Sequence, residues 1–108
     1  MSISIEEAWR YADRPELLKL VSEGLQKFLT ATAAAGFQLP MRVELRDSDG
    51  DLLREFTVAR GGKIVPGRTD DAEKLYVFPL VATATDATGR VAVLTLDAEA
   101  VKAVEFVN

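Results

Sequence analysis

The 108 residues are 48% apolar and 28% charged with a net charge of −4, the balance of one globular domain spanning residues 1–108. Neither cysteine nor histidine occurs. Their absence removes disulfides, thiolate nucleophiles, the usual zinc donor sets and every catalytic arrangement built on imidazole.

Any chemistry is left to carboxylates, Lys63, Tyr11, Tyr76 or a bound cofactor, and no motif calls for a cofactor or a catalytic or metal site. Acid and base are interspersed along the chain, which argues against a nucleic-acid duplex as partner. Glu6 and Glu7 stand where a signal peptide needs positive charge, and no apolar stretch reaches membrane-spanning length. These features predict a cytoplasmic protein without a membrane partner.

In chain order, Ser4 and Glu7 form a capping-box pair, predicting a short helix from Ile5 to about Ala12. Asp13, Pro15 and Glu16 repeat the start signal, and the second helix is expected to run to Ala35 with Gly36 as its left-handed stop. At 100° per residue, Leu17, Leu18, Val21, Leu25, Phe28 and Leu29 share one face, widened by Leu20 and Ala31. Trp9 is expected to pin the first helix to the core, although with Tyr11 it also has the chemistry of an interface anchor.

After Pro40 the apolar period drops from 3.6 to 2. Met41, Val43 and Leu45 alternate with Arg42, Glu44 and Arg46, and the turn Asp47-Ser48-Asp49-Gly50 leads into a second strand from Leu52 to Arg60. An even loop, of two or four residues, sets Val43 against Phe56 and Met41 against Val58, and it places Glu44 opposite Glu55. Residues 61–74 read as an irregular segment with at most one helical turn. A third strand is expected from Leu75 to Thr85, then a three-residue turn with a Gly89 bulge, and a fourth strand from Arg90 to Leu96. That register sets Ala84, Ala82 and Leu80 across from Ala92, Leu94 and Leu96. The C-terminal segment fits either a helix or a short strand over 102–107, and its β-branched residues favour the strand. No internal repeat is evident.

The expected fold is α+β: a short and a long helix packed on a curved antiparallel meander of four or five strands. The apolar side of residues 17–29 should lie on the sheet face built by Met41, Val43, Leu45, Phe56 and Val58. The order of helix, strands, late turn and short last strand resembles that of Sm-like barrels. The resemblance is topological, for no Sm motif is present and the second helix is longer than that fold implies.

Several residue groups carry candidate sites. Gly62 to Thr69 approaches a phosphate-binding loop, but Arg68 replaces its lysine and Pro66 removes a backbone donor. Arg60, Lys63 and Arg68 remain a candidate anion or single-stranded nucleic-acid loop, although no aromatic residue between them could stack a base. Asp47, Asp49 and Asp51 have the alternation of a calcium loop, yet Val58 stands where the late bidentate Glu belongs. The Glu44–Glu55 pair is expected to be neutralised by Arg42 and Arg46. Phe28, Phe37, Phe56 and Phe78 could line a pocket between the long helix and the sheet, or fill the core. Val81, Thr83, Val91 and Val93 share the outer face of the last two long strands, almost without charge, and so are a candidate interface. The sequence thus points first to a non-catalytic interaction module that pairs with itself as a homodimer or with another protein. Its alternatives are a ligand-binding or enzymatic pocket and a weak nucleic-acid binder.

Overall fold

The computed structural model describes residues 14–69, 77–97 and 103–107, with side chains from residue 19 onward. The expected helix at 5–12, Trp9 and Tyr11 lie outside them. Among the described residues there is one helix, α1 (Arg14–Ala34), the long member of the expected pair. It ends in a Schellman motif: the N–H of Gly36 donates to the Ala33 carbonyl and that of Phe37 to the Thr32 carbonyl. Gly36 supplies the left-handed turn, with φ 81°. Val21, Leu25 and Phe28 are buried as the apolar stripe requires, while Ser22, Glu23, Gln26 and Lys27 face solvent.

Six strands follow, β1 (Met41–Arg46), β2 (Leu52–Val58), β3 (Ile64–Thr69), β4 (Leu80–Thr85), β5 (Val91–Leu96) and β6 (Glu105–Val107), rather than four or five. They form one antiparallel sheet in the order β3-β2-β1-β4-β5-β6. No helix among the described residues is long and apolar enough to cross a membrane.

The added strand is β3, which occupies part of the segment expected to be irregular. Pro66 and Gly67 hide it from a reading of β propensity. An edge strand tolerates both, because its outer N–H groups need no partner. Gly67 also allows close approach: a Cβ there would stand 2.9 Å from the backbone oxygen of Glu55. Pro79, expected within a strand, directly precedes β4. The sheet is not an Sm-like barrel. β1 is flanked by β2 and β4, and β3 and β6 stand at opposite ends of the strand order.

The expected registers hold for Met41–Val58, Val43–Phe56 and Glu44–Glu55. They hold also for Ala84–Ala92, Ala82–Leu94 and Leu80–Leu96. Near the first turn the pairing shifts by one residue, so that Arg46 faces Leu52. This bulge leaves Leu53 buried and Arg54 exposed.

An internal repeat, unexpected from sequence, relates the two hairpins. Pro40, Asp47 and Gly50 recur 39 positions later as Pro79, Asp86 and Gly89. The turns repeat bond for bond. Asp47 N–H donates to the Asp51 carbonyl and Asp86 N–H to that of Arg90, while Gly50 and Gly89 donate back to the carbonyls of Asp47 and Asp86. Both glycines have positive φ, 85° and 89°. In the β1–β4 pair, Arg42 faces Thr85, Glu44 faces Thr83 and Arg46 faces Val81. A pseudo-twofold axis therefore passes between Glu44 and Thr83, exchanging β1 with β4, β2 with β5 and β3 with β6. Beyond Pro, Asp and Gly the two halves share apolar inward positions rather than identities, and their outward positions differ, as Arg42 and Glu44 against Val81 and Thr83, which conceals the repeat in the sequence.

The inner face joins Met41, Val43, Leu45, Phe56 and Val58 with Leu80, Ala82, Ala84, Ala92, Leu94 and Leu96 in one core. The helix face reaches this core, but α1 packs most closely on β5 rather than on β1 and β2. Gly24 makes that approach possible: a Cβ there would overlap the Leu96 side chain.

Candidate functional site

The outer face of the sheet divides into two halves. On β1, β2 and β3, Arg42 bridges Glu44 and Glu55 at 2.9 and 2.8 Å. Arg46 approaches Glu44 at 3.3 Å, and Arg68 approaches Glu55 at 3.6 Å. The two carboxylates stand opposite one another, as the register requires. Their repulsion is offset by the shared Arg42, and Arg68, expected in a loop but placed in β3, adds a fifth charge. With the guanidinium groups largely exposed, each ion pair contributes well under about 1 kcal/mol. A hollow of about 410 Å³ over Arg42, Glu44, Thr57, Thr83 and Thr85 has Arg42 as its cation. Arg42 is already held by both carboxylates.

On β4, β5 and β6 the same face carries no such lattice. Thr83 lies opposite Val93, Val81 opposite Thr95 and Thr85 opposite Val91. The row continues from Val91 to Val107, which is exposed, and from Val93 to Glu105. Val81, Thr83, Val91 and Val93 thus lie side by side, each half-buried.

Arg60, Lys63 and Arg68 are separated by the fold. Arg60 and Lys63 belong to the β2–β3 turn, closed by the Ala59 N–H donating to the Lys63 carbonyl at 2.7 Å. Arg68 lies in β3 beside Glu55.

The four phenylalanines are not gathered round one space. Phe28 and Phe56 are buried core residues, and Phe78 is half-buried against that core. Phe37 packs edge-on to Phe106 at 5.8 Å, and the Arg90 guanidinium stands 4.6 Å over its ring. Phe37 lines a cavity of about 370 Å³ between the C-terminal half of α1 and the sheet. Most residues that shape that cavity, Leu29, Thr32, Leu39, Met41, Val58 and Ile64 among them, were not legible as a group. Thr32 gave the clearest missed signal: a wholly buried hydroxyl in a helix, donating to the Leu29 carbonyl at 3.0 Å.

Asp47, Asp49 and Asp51 each place a carboxylate oxygen within 4.8 Å of the others. Asp47 caps its own turn, its Oδ1 accepting the N–H groups of Asp49 and Asp51 at 3.0 and 3.1 Å. A cation at Oδ1 would have to displace both donors. The twin turn uses the same geometry. Asp86 Oδ1 accepts from Thr88 N–H, the Thr88 hydroxyl and Arg90 N–H, and Oδ2 accepts the Gln38 N–H at 2.8 Å. Turn capping therefore accounts for both aspartates. Asp47 Oδ2, unlike Asp86 Oδ2, is buried and without a hydrogen-bond partner.

Burial pushes the Asp86 carboxyl upward in pKa, but the hydrogen bonds from Gln38, Thr88 and Arg90 outweigh it and bring it from 3.8 to about 2. Against known proteins, the chain matches no family model, no curated protein and no solved structure.

Proposed function

We propose that this protein is a non-catalytic self-associating module in which a second copy packs on the valine and threonine half of the outer sheet face. One observation carries the reading: the ion-paired charges of that face lie on β1–β3, while Val81, Val91, Val93 and Val107 share the other half with threonines and a single acid at its edge, Glu105. A face meant for water intersperses charge across all its strands. Two such halves meeting about a twofold axis would bury valine on valine and leave the ion-pair lattice in solvent.

The patch spans roughly 20 Å along the strands and about 15 Å across three of them. That is less than the ~800 Å² per partner of a standard interface, so the association expected is micromolar rather than nanomolar. Light scattering across the micromolar range should show a mass rising above 11.8 kDa. Val93→Lys should hold it at the monomer value with Tm little changed, because Val93 is not part of the core. A monomeric mass at every concentration, or dimers that survive Val93→Lys, would overturn the reading.

A further inference from the structure

We propose that the cavity beneath the C-terminal half of α1 binds a single-chain alkyl carboxylate, with its tail among the apolar residues and its head at the turn carrying Arg60 and Lys63. The cavity follows from a mismatch between a pseudo-symmetric sheet and one off-centre helix. On the β5 side, Leu96 is met directly by Gly24 of α1. On the twin side, Val58 occupies the place that Leu96 holds opposite its own partner strand, and there it lines open space. The helix covers one half closely and leaves room over the other.

The chemistry of the lining selects the tail. Leu29, Phe37, Leu39, Met41, Val58 and Ile64 are apolar, and none of the lining side chains is charged. Its single hydroxyl, Thr32 Oγ1, already donates to the Leu29 carbonyl. A polar ligand would lose its hydration there without replacement. A volume of about 370 Å³ lies within the usual range for ligand sites and exceeds twice the ~150 Å³ that holds a benzene ring, so a chain of roughly eight to ten carbons fits.

The rim selects the head. Gly62 belongs to the lining, and its turn neighbours Arg60 and Lys63 are exposed. Neither forms an ion pair among the described residues, and residues 59–69 contain no acid. Ile64, next to Lys63 at the start of β3, lines the cavity yet is half exposed, so the apolar opening adjoins the turn that carries both cations. A neutral hydrocarbon would use the first and ignore the second. An amphiphilic anion uses both.

Titration calorimetry with sodium hexanoate through dodecanoate, below their micelle concentrations, tests this, with the matching alcohols as neutral controls. Affinity should rise about fourfold per added methylene and level off once the chain outgrows the cavity. Ala33→Phe places a ring at the cavity from an exposed helix position, and it should weaken binding at least tenfold without lowering Tm. Arg60→Ala with Lys63→Ala should weaken the carboxylates about fivefold and leave the alcohols unchanged. A flat chain-length series, or full binding by Ala33→Phe, would overturn the site, and alcohols binding as tightly as carboxylates would overturn the head-group assignment. The site lies on the opposite face of the sheet from the proposed dimer surface, and calorimetry and light scattering fail independently.

Discussion

Gly24→Ala should lower the stability of this protein, although helix propensity alone gives it a gain of about 1 kcal/mol. The sign reverses because a Cβ at residue 24 would overlap the side chain of Leu96, which is itself fully buried in β5. Inserting one methyl into a packed core costs about 1–3 kcal/mol, enough to cancel the propensity gain and pass it. Gly24→Val adds two more carbons and χ1 restriction, and it should cost about 3 kcal/mol, a fall in Tm on the order of 15 °C. Urea denaturation measures both. The diagnostic comparison is the Leu96→Ala background, where Gly24→Ala should become stabilising because the obstacle is gone. Gly24→Ala raising stability in the unaltered protein would mean that α1 does not rest on β5.

Asp86→Ala should be the more damaging of the two turn-aspartate substitutions. It leaves three backbone N–H groups and the Thr88 hydroxyl without their acceptor, whereas Asp47→Ala frees the two N–H groups of Asp49 and Asp51. The bond from Gln38 also ties the end of α1 to the β4–β5 turn, so its loss loosens two elements at once. A fall in Tm of at least about 5 °C is expected for Asp86→Ala, and a smaller one for Asp47→Ala.

The pH dependence follows from the same bonds. The folded-state pKa of Asp86, about 2, lies below its ordinary 3.8. Its ionised form therefore stabilises the fold above pH 3.8, and that contribution is lost as pH falls from about 4 to about 2. Asp86→Asn should flatten the stability profile in that window and leave it unchanged near neutrality in shape. An identical acid profile in the two proteins would show that the carboxylate is not held by these donors.

The local elements were readable because their causes are local. The stripe Val21, Leu25, Phe28 needs only helical spacing, Gly36 only a residue free to take positive φ, and the alternation in 41–46 only the pleat of a strand. Cross-strand pairs such as Val43–Phe56 and Leu80–Leu96 followed from requiring apolar residues on one face. Local signals mislead where tertiary context overrides them. Pro66 and Gly67 argue against a strand everywhere except at a sheet edge, and whether a segment is an edge is not a local property.

What the sequence determined by itself is the set of pieces: the long helix, two hairpins with Asp-capped glycine turns, and the apolar faces that must meet. Which pieces meet was decided only by the tertiary structure. The pairing of β1 with β4 creates the pseudo-twofold axis, and the seating of α1 on Leu96 leaves space beside Val58. Both arise between residues dozens of positions apart, where spacing along the chain carries no information about distance in space. The ion-paired half and the valine-threonine half of the outer face belong to the same class. Arg42, Glu44 and Glu55 become one lattice, and Val81, Val93 and Val107 one patch, only after the strand order has placed them side by side.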